Sequence, residues 1–441
     1  MPSWWCENAW LPPGRVAARV LVTVTDGRII GVEADVDPPS GAQQLTGLVI
    51  PGLANAHSHA FHRALRGRTQ VGRGDFWTWR DQMYAVADRL DPQTYLALAR
   101  ATYAEMALAG ITCIGEFHYV HHQPGGVPYA DPNAMGDALI EAAAQVGVRL
   151  TLLDTCYLAG GIGEPLSPTQ QRFSDGHVAD WAARVDDLAG AAHVRIGAAI
   201  HSVRAVPVEQ LGDVANWART RAVPLHFHLS EQRAENDACL ERYGVTPTRL
   251  LADAGALGAA ATAVHATHLT ADDIALLASS STDVCLCPTT ERDLADGIGP
   301  AGVLAAAGVA LSVGSDGQSV IDLFEEARGI ELDERLATYS RGNFGAGALI
   351  DAMTVAGHRA LGWPDAGQLA VGARADLVAV DLASRRTAGG GVTAESVVFA
   401  ASASDVTDVV VDGNVVVKDR GHVRLGDIGA ALQSAIGAVV R

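Results

Sequence analysis

Basic residues are scarce in this chain. Across 441 residues, 32 lysines and arginines face 50 aspartates and glutamates, for a formal net charge of -18, and lysine occurs once, at Lys418. Phosphate backbones and anionic headgroups are met by basic surfaces, so neither nucleic acid nor a membrane is expected as a partner. Long apolar runs are also missing, and none reaches the roughly 18 residues of a membrane-spanning helix. The first residues carry Glu7 and the pair Trp4-Trp5, with no basic segment leading into an apolar stretch, so no secretory signal is expected. Six cysteines are scattered, several within apolar runs, a pattern that suits reduced core thiols and a cytoplasmic protein. No Gly-x-Gly-x-x-Gly turn opens a helix, which argues against a dinucleotide-binding open sheet.

What is present is a large apolar fraction, 49% of residues, enough for a sizeable core. Eight apolar strand candidates lie at residues 48–54, 111–117, 149–155, 195–200, 224–228, 262–265, 283–287 and 310–314. Ala- and Leu-rich helical stretches separate them, among them 92–109, 133–145 and 272–279. That alternation and that count predict an α/β chain folded as a (β/α)8 TIM barrel. The two ends read as β structure instead. Asp26-Gly27 and Asp412-Gly413 each sit between β-rich runs, which is a hairpin signal, and 375–380 is a further strand. The economical arrangement is a small β-sandwich domain built from both termini, residues 1–50 plus 364–441, around a barrel of residues 51–363.

The active site of such a barrel lies where the C-terminal strand ends meet. His57-Ser58-His59 ends the first strand, and alternation points both imidazoles to one side. The fifth strand ends in His226-Phe227-His228-Leu229-Ser230-Glu231, the sixth in His265-Ala266-Thr267-His268, and the eighth in Gly314-Ser315-Asp316. A single histidine at a strand end is more often a hydrogen-bonded rim residue. Their joint occurrence predicts a three-histidine, one-aspartate site with an open position for water. A divalent metal in such a site lowers the pKa of its water to about 7. Glu231, three residues beyond His228, is placed to pass a proton between water and a substrate nitrogen. Asp316 can take the proton of the water, and His265 can stabilise charge in the tetrahedral state.

These segments, together with Pro51-Gly52-Leu53-Ala54-Asn55-Ala56 and His265-Ala266-Thr267-His268-Leu269-Thr270, resemble the amidohydrolase superfamily. The resemblance implies one metal held by His57, His59, His228 and Asp316, with His265 beside the metal water. Three imidazoles and a carboxylate suit zinc best, with iron or manganese as alternatives. Phe76-Trp77-Thr78-Trp79-Arg80, Glu116-Phe117-His118-Tyr119-Val120-His121-His122 and Cys287-Pro288-Thr289-Thr290-Glu291-Arg292 resemble one family within it, the formimidoylglutamate deiminases. That resemblance implies hydrolysis of N-formimino-L-glutamate to N-formyl-L-glutamate and ammonia, in histidine degradation, by a homodimer. The substrate is then a small dicarboxylate, clamped by Arg80, Tyr119 and Arg204. His62 stands where many members of that family have glutamine, and it can still donate a hydrogen bond.

Two other readings are compatible with parts of the sequence. Trp77 and Trp79 would suit a deaminase of nucleobases or other aromatic amidines on the same metal site. A barrel without catalysis, serving as a scaffold, would be expected to lack metal ligands. His118, His121 and His122 read as loop or supporting residues, because no lysine capable of carboxylation lies at a bridging strand end. Cys285 reads as core, and Cys287 has no assigned role. Arg63, Arg66 and Arg68 read as solvated or paired with acids, and the acids of 322–334 as a solvated helix face. The stretch from Ala60 to Asp91 reads as one long loop over the pocket.

Overall fold

The computed structural model describes residues 2–74 and 76–440, and Met1, Asp75 and Arg441 lie outside that description. Sixteen strands follow one another as β1 (Ser3–Leu11), β2 (Arg15–Thr25), β3 (Arg28–Glu33), β4 (Gln43–Pro51), β5 (Leu53–Ser58), β6 (Ile111–His118), β7 (Arg149–Cys156) and β8 (Val194–Ile200), then β9 (Leu225–Leu229), β10 (Ala261–His265), β11 (Asp283–Leu286), β12 (Leu311–Val313), β13 (Leu377–Val380), β14 (Val406–Val411), β15 (Asn414–Lys418) and β16 (Gly421–His422). Strands β5 to β12 pair in sequence order, all parallel, and a bridge between Ser58 and Asp316 joins the last to the first. This is the eight-stranded barrel. Its strands are buried on both faces, which is why they read as unbroken apolar runs. Helices such as Pro92–Leu108, Ala134–Val146 and Ala271–Ser280 fall where the periodicity put them.

The remaining strands form a second sheet in the order β16-β15-β14-β13-β4-β1-β2-β3, drawn from both chain ends. Both Asp-Gly turns close hairpins, β2 with β3 and β14 with β15. Alternation divides its side chains between two cores. Trp4, Cys6, Val22, Val49, Leu377 and Val410 pack together within the β domain, while Leu48, Ile50, Val378 and Val409 join the barrel core.

The first strand candidate, 48–54, is two strands. Residues up to Pro51 belong to β4, and Leu53 starts β5 in the other sheet. Gly52 makes the change possible, because a side chain there would drive into Thr112 and Asp376. The backbone bonds switch with it: Gly52 N–H donates to Asp376 O (3.1 Å) and Leu53 N–H to Gly110 O (3.1 Å). A second correction concerns the acids of 322–334. Asp322, Glu326, Glu331 and Glu334 are buried, not solvated. Glu326 accepts from Thr289 N–H, Glu331 from Gly342 and Phe344 N–H, and Glu334 from Gly302 N–H. The helix Leu323–Thr338 therefore fastens the first turns of the helices Pro288–Asp293 and Ala301–Ala306 and the loop at 342–344 by its carboxylates. The stretch from Ala60 to Asp91 is not all loop either, since it contains the helix Phe76–Ala87.

Arg149, at the start of β7, joins the two sheets through both oxygens of Asp376, with Nη1 at 3.0 Å from Oδ1. Burial alone would raise the Asp376 carboxyl, but Arg149 outweighs it and holds the group below its ordinary range. Arg149→Met strands that carboxylate in a dry interface and is expected to lower stability by about 3–5 kcal/mol. The check is the urea midpoint at unchanged slope; a shift worth less than about 1 kcal/mol contradicts it. Because the folded pKa is depressed, the contribution is complete above about pH 4 and fades as pH falls through the depressed value, where wild type and variant converge.

Candidate metal centre and active-site cavity

The polar strand ends meet on one rim. His57 and His59 leave β5, His228 lies on β9, and Asp316 follows β12 in the turn Ser315-Asp316-Gly317. One ligand atom from each of these four lies within 4.8 Å of the others, and all four residues are buried. His57 Nε2 is 3.1 Å from His228 Nε2 and 3.2 Å from Asp316 Oδ1, and His59 Nε2 is 3.3 Å from Asp316 Oδ1.

The tautomers follow from the partners. His59 Nδ1 faces the carbonyl of Phe117 at 2.9 Å, and His228 Nδ1 faces the carbonyl of His201 at 2.9 Å. A carbonyl only accepts, so each Nδ1 carries the proton, and each Nε2 of a neutral ring presents a bare lone pair to the centre. Burial keeps the His57 and His228 imidazoles neutral, His57 down to about 3. Burial would raise Asp316, but His57 and His59 beside it outweigh that and hold the carboxyl well below its ordinary range. Three imidazole nitrogens and a carboxylate oxygen converge here as a donor set that fits one divalent cation of borderline softness.

His265 ends β10 at φ +67°, a conformation rare for a side-chain-bearing residue, and Ser230 (+49°), Asp316 (+36°) and Gln318 (+57°) share it on the same rim. His265 Nδ1 lies 3.3 Å from Glu291 Oε1, and its Nε2 stands 3.9 Å from both Glu231 Oε1 and Asp316 Oδ2. Burial opposes charge on His265, but the surrounding carboxylates, Glu231 foremost, push its pKa up to about 10.

A cavity of about 310 Å³ opens onto the centre. All four sequence-named candidates for substrate contact are brought to it: His62, Arg80, Tyr119 and Arg204. His62 Nε2 bonds the Tyr119 hydroxyl at 3.0 Å. The two arginines differ in their charge balance. Arg204 is already held by acids, with Nη2 3.2 Å from Glu231 Oε2 and Nε 3.2 Å from Glu235 Oε2. Arg80 has no carboxylate partner among the described residues, and its guanidinium lies 4.4 Å from the Trp77 ring and 5.5 Å from the Tyr84 ring.

Other residues stay away from the centre. His226 bonds the Ala360 carbonyl, and His268 is absent from the cavity lining. His118, His121 and His122 belong to a separate buried network in which Arg184 holds Asp154 and Asp175. Arg63 and Arg66 pair with Glu105. Cys285 and Cys287 are buried beside Ala56 and Val264, and Cys287 N–H donates to Glu291 at 2.8 Å. Sequence reasoning had not assigned His201, Glu235 or Glu291. His201 had a signal, since it ends the fourth barrel strand, whereas Glu235 and Glu291 come from helices whose placement a strand-end argument does not reach.

The chain belongs to the amidohydrolase family, whose model matches residues 48–416. It is a hydrolase acting on C–N bonds. Among individual proteins, it is 37% identical over 440 residues to the formimidoylglutamate deiminase of Pseudomonas aeruginosa, covering 96% of each chain. It is also 31% identical over 409 residues to the 5-methylthioadenosine/S-adenosylhomocysteine deaminase of Halobacterium salinarum, covering 91% of this chain and 88% of that one. An amidohydrolase crystal structure from Brucella melitensis superimposes with a TM-score of 0.93 at 32% identity, over 100% of both chains.

Proposed function

We propose that this protein hydrolyses N-formimino-L-glutamate to N-formyl-L-glutamate and ammonia. The observation that carries the choice among C–N hydrolases is Arg80, a cation in the cavity with no anionic partner of its own among the described residues. Arg80 is half-buried, and a partly desolvated cation without an anion of its own favours an anionic ligand. A carboxylate supplies that, with bidentate geometry. A nucleobase would leave the charge unmet. The Halobacterium relative is named for nucleoside substrates, so the aromatic walls of the cavity keep that class in view as the alternative.

His57, His59, His228 and Asp316 would hold the cation, with zinc the metal best matched to the set and iron or manganese the alternatives. Bound there, it would supply Lewis acidity and hydroxide at neutral pH. The chain's own groups do the rest. As water oxygen adds to the formimino carbon, Glu231 carries one of its protons to the imino nitrogen. Asp316, beside His265, takes the second proton from the new hydroxyl and passes it to the same nitrogen, so the C–N bond breaks, the formyl C=O forms and ammonia leaves. Arg80 and Tyr119 hold one end of the substrate. Arg204 offers its remaining Nη1 to a carboxylate while its other arms orient Glu231, so its loss should lower kcat as well as affinity.

The test is ammonia release from N-formimino-L-glutamate, S-adenosylhomocysteine and guanine. Turnover of either purine compound with none of the acyclic acid overturns the reading. Arg80→Met is expected to raise KM for the acid by about 10- to 100-fold, the loss of a charge-assisted bond. It should leave the metal content unchanged. An equal loss on an uncharged amidine would show that Arg80 shapes the cavity and does not bind a carboxylate.

A further inference from the structure

The barrel seam between β12 and β5 is thin. Among the described residues no ladder joins the two strands, and the join at the rim is the bridge of Ser58 with Asp316. Two backbone bonds make it: Asp316 N–H to His57 O (3.0 Å) and His59 N–H to Asp316 O (3.4 Å). Gly314 lets the strands close up, since a side chain there would meet His57 backbone. Yet this seam carries three of the four candidate ligands, His57 and His59 on one side and Asp316 on the other.

A chain of buried side chains reinforces it. Gln318 Nε2 donates to Ser58 Oγ (2.9 Å) and to the Asp316 carbonyl (3.1 Å). Gln318 Oε1 accepts from Ser315 Oγ (2.9 Å). Asn55 Nδ2 donates to Ser315 Oγ (2.7 Å), and Asn55 Oδ1 accepts from Ser315 N–H (2.9 Å). On the far side, Ser58 Oγ donates to Glu116 (3.2 Å), which also accepts from Ala60 N–H (2.7 Å). Gln318 is fully buried, and none of Asn55, Ser58, Glu116, Ser315 and Gln318 lines the cavity.

We propose that Gln318 is a positioning residue for the metal centre: its carboxamide staples Ser58, between the two histidines, to the Asp316 carbonyl, and so sets the distance between the imidazole pair and the carboxylate. The inference rests on the metal-centre reading above. One amide proton meets the Ser58 hydroxyl and the other the Asp316 carbonyl, and Gln318 does not line the cavity. Networks that orient metal ligands are worth about 10- to 100-fold in metal affinity.

Gln318→Gly removes the amide and accepts the left-handed backbone without strain. It is expected to weaken zinc binding about 10- to 100-fold in chelator competition. The melting temperature of the metal-free protein and the KM of the zinc-saturated enzyme should stay near wild type. Gln318→Asn, one methylene short, should fall between. Ser58→Ala removes the shared hydroxyl and serves if the glycine variant does not fold. Affinity within threefold of wild type in the variants overturns the inference, and so does a loss of metal-free stability with unchanged affinity. If wild type itself binds no zinc, iron or manganese, the metal-centre reading fails, and the staple with it.

Discussion

Asp316→Ala is expected to lower kcat/KM at least about 10⁴-fold, equivalent to about 5.5 kcal/mol of transition-state stabilisation. The size follows from two losses at one atom group. Asp316 is the only anion among the four converging ligands, so its removal leaves three neutral imidazoles, a weaker trap for a dication. In the proposed reaction it also takes a proton of the attacking water, beside His265 at 3.9 Å. Metal analysis separates the two. A variant that keeps stoichiometric metal and stays inactive has lost the base, while one that loses the metal has lost the ligand. More than about one per cent residual activity with full metal content contradicts the proton-accepting role.

Glu231→Gln should cost about 10²- to 10⁴-fold in kcat, the range for removing a positioned acid–base group. Glutamine keeps the shape and can still meet Arg204, which lies 3.2 Å from the carboxylate. Metal content and folding are therefore expected to hold. The diagnostic is the leaving group. An analogue whose nitrogen departs without protonation should be turned over by the variant far better than the amidine is. If both substrates suffer equally, Glu231 acts by holding Arg204 in place and carries no proton.

The frame of the molecule was legible because its signals are local. Barrel strands buried on both faces leave apolar runs, and the hairpins of the β domain leave Asp-Gly turns. The candidate ligand set was legible because a barrel turns three separated strand ends into one neighbourhood, while the choice of His57, His59, His228 and Asp316 among the rim residues came from the resemblance to the amidohydrolases. What escaped depends on contacts across the fold. The acids of the helix Leu323–Thr338 look like any charged helix face until neighbouring segments are seen to bring amides to them. Arg204 looked like an open cation until the helix Arg233–Tyr243 brought Glu235 beside it. The 48–54 run hid a change of sheet, because both halves are equally apolar and only the crowding at Gly52 marks the step.

That step at Gly52 has a consequence for biosynthesis. The strand that runs into the histidine pair is paired on one side with β1, made at the outset, and on the other with β13, which begins only at Leu377. During translation one flank of β4 therefore stays open until almost the whole polypeptide has left the ribosome. Chains that stop short of that point would display a bare strand edge of the kind that recruits other chains, on the strand that leads into β5 and the candidate ligands His57 and His59.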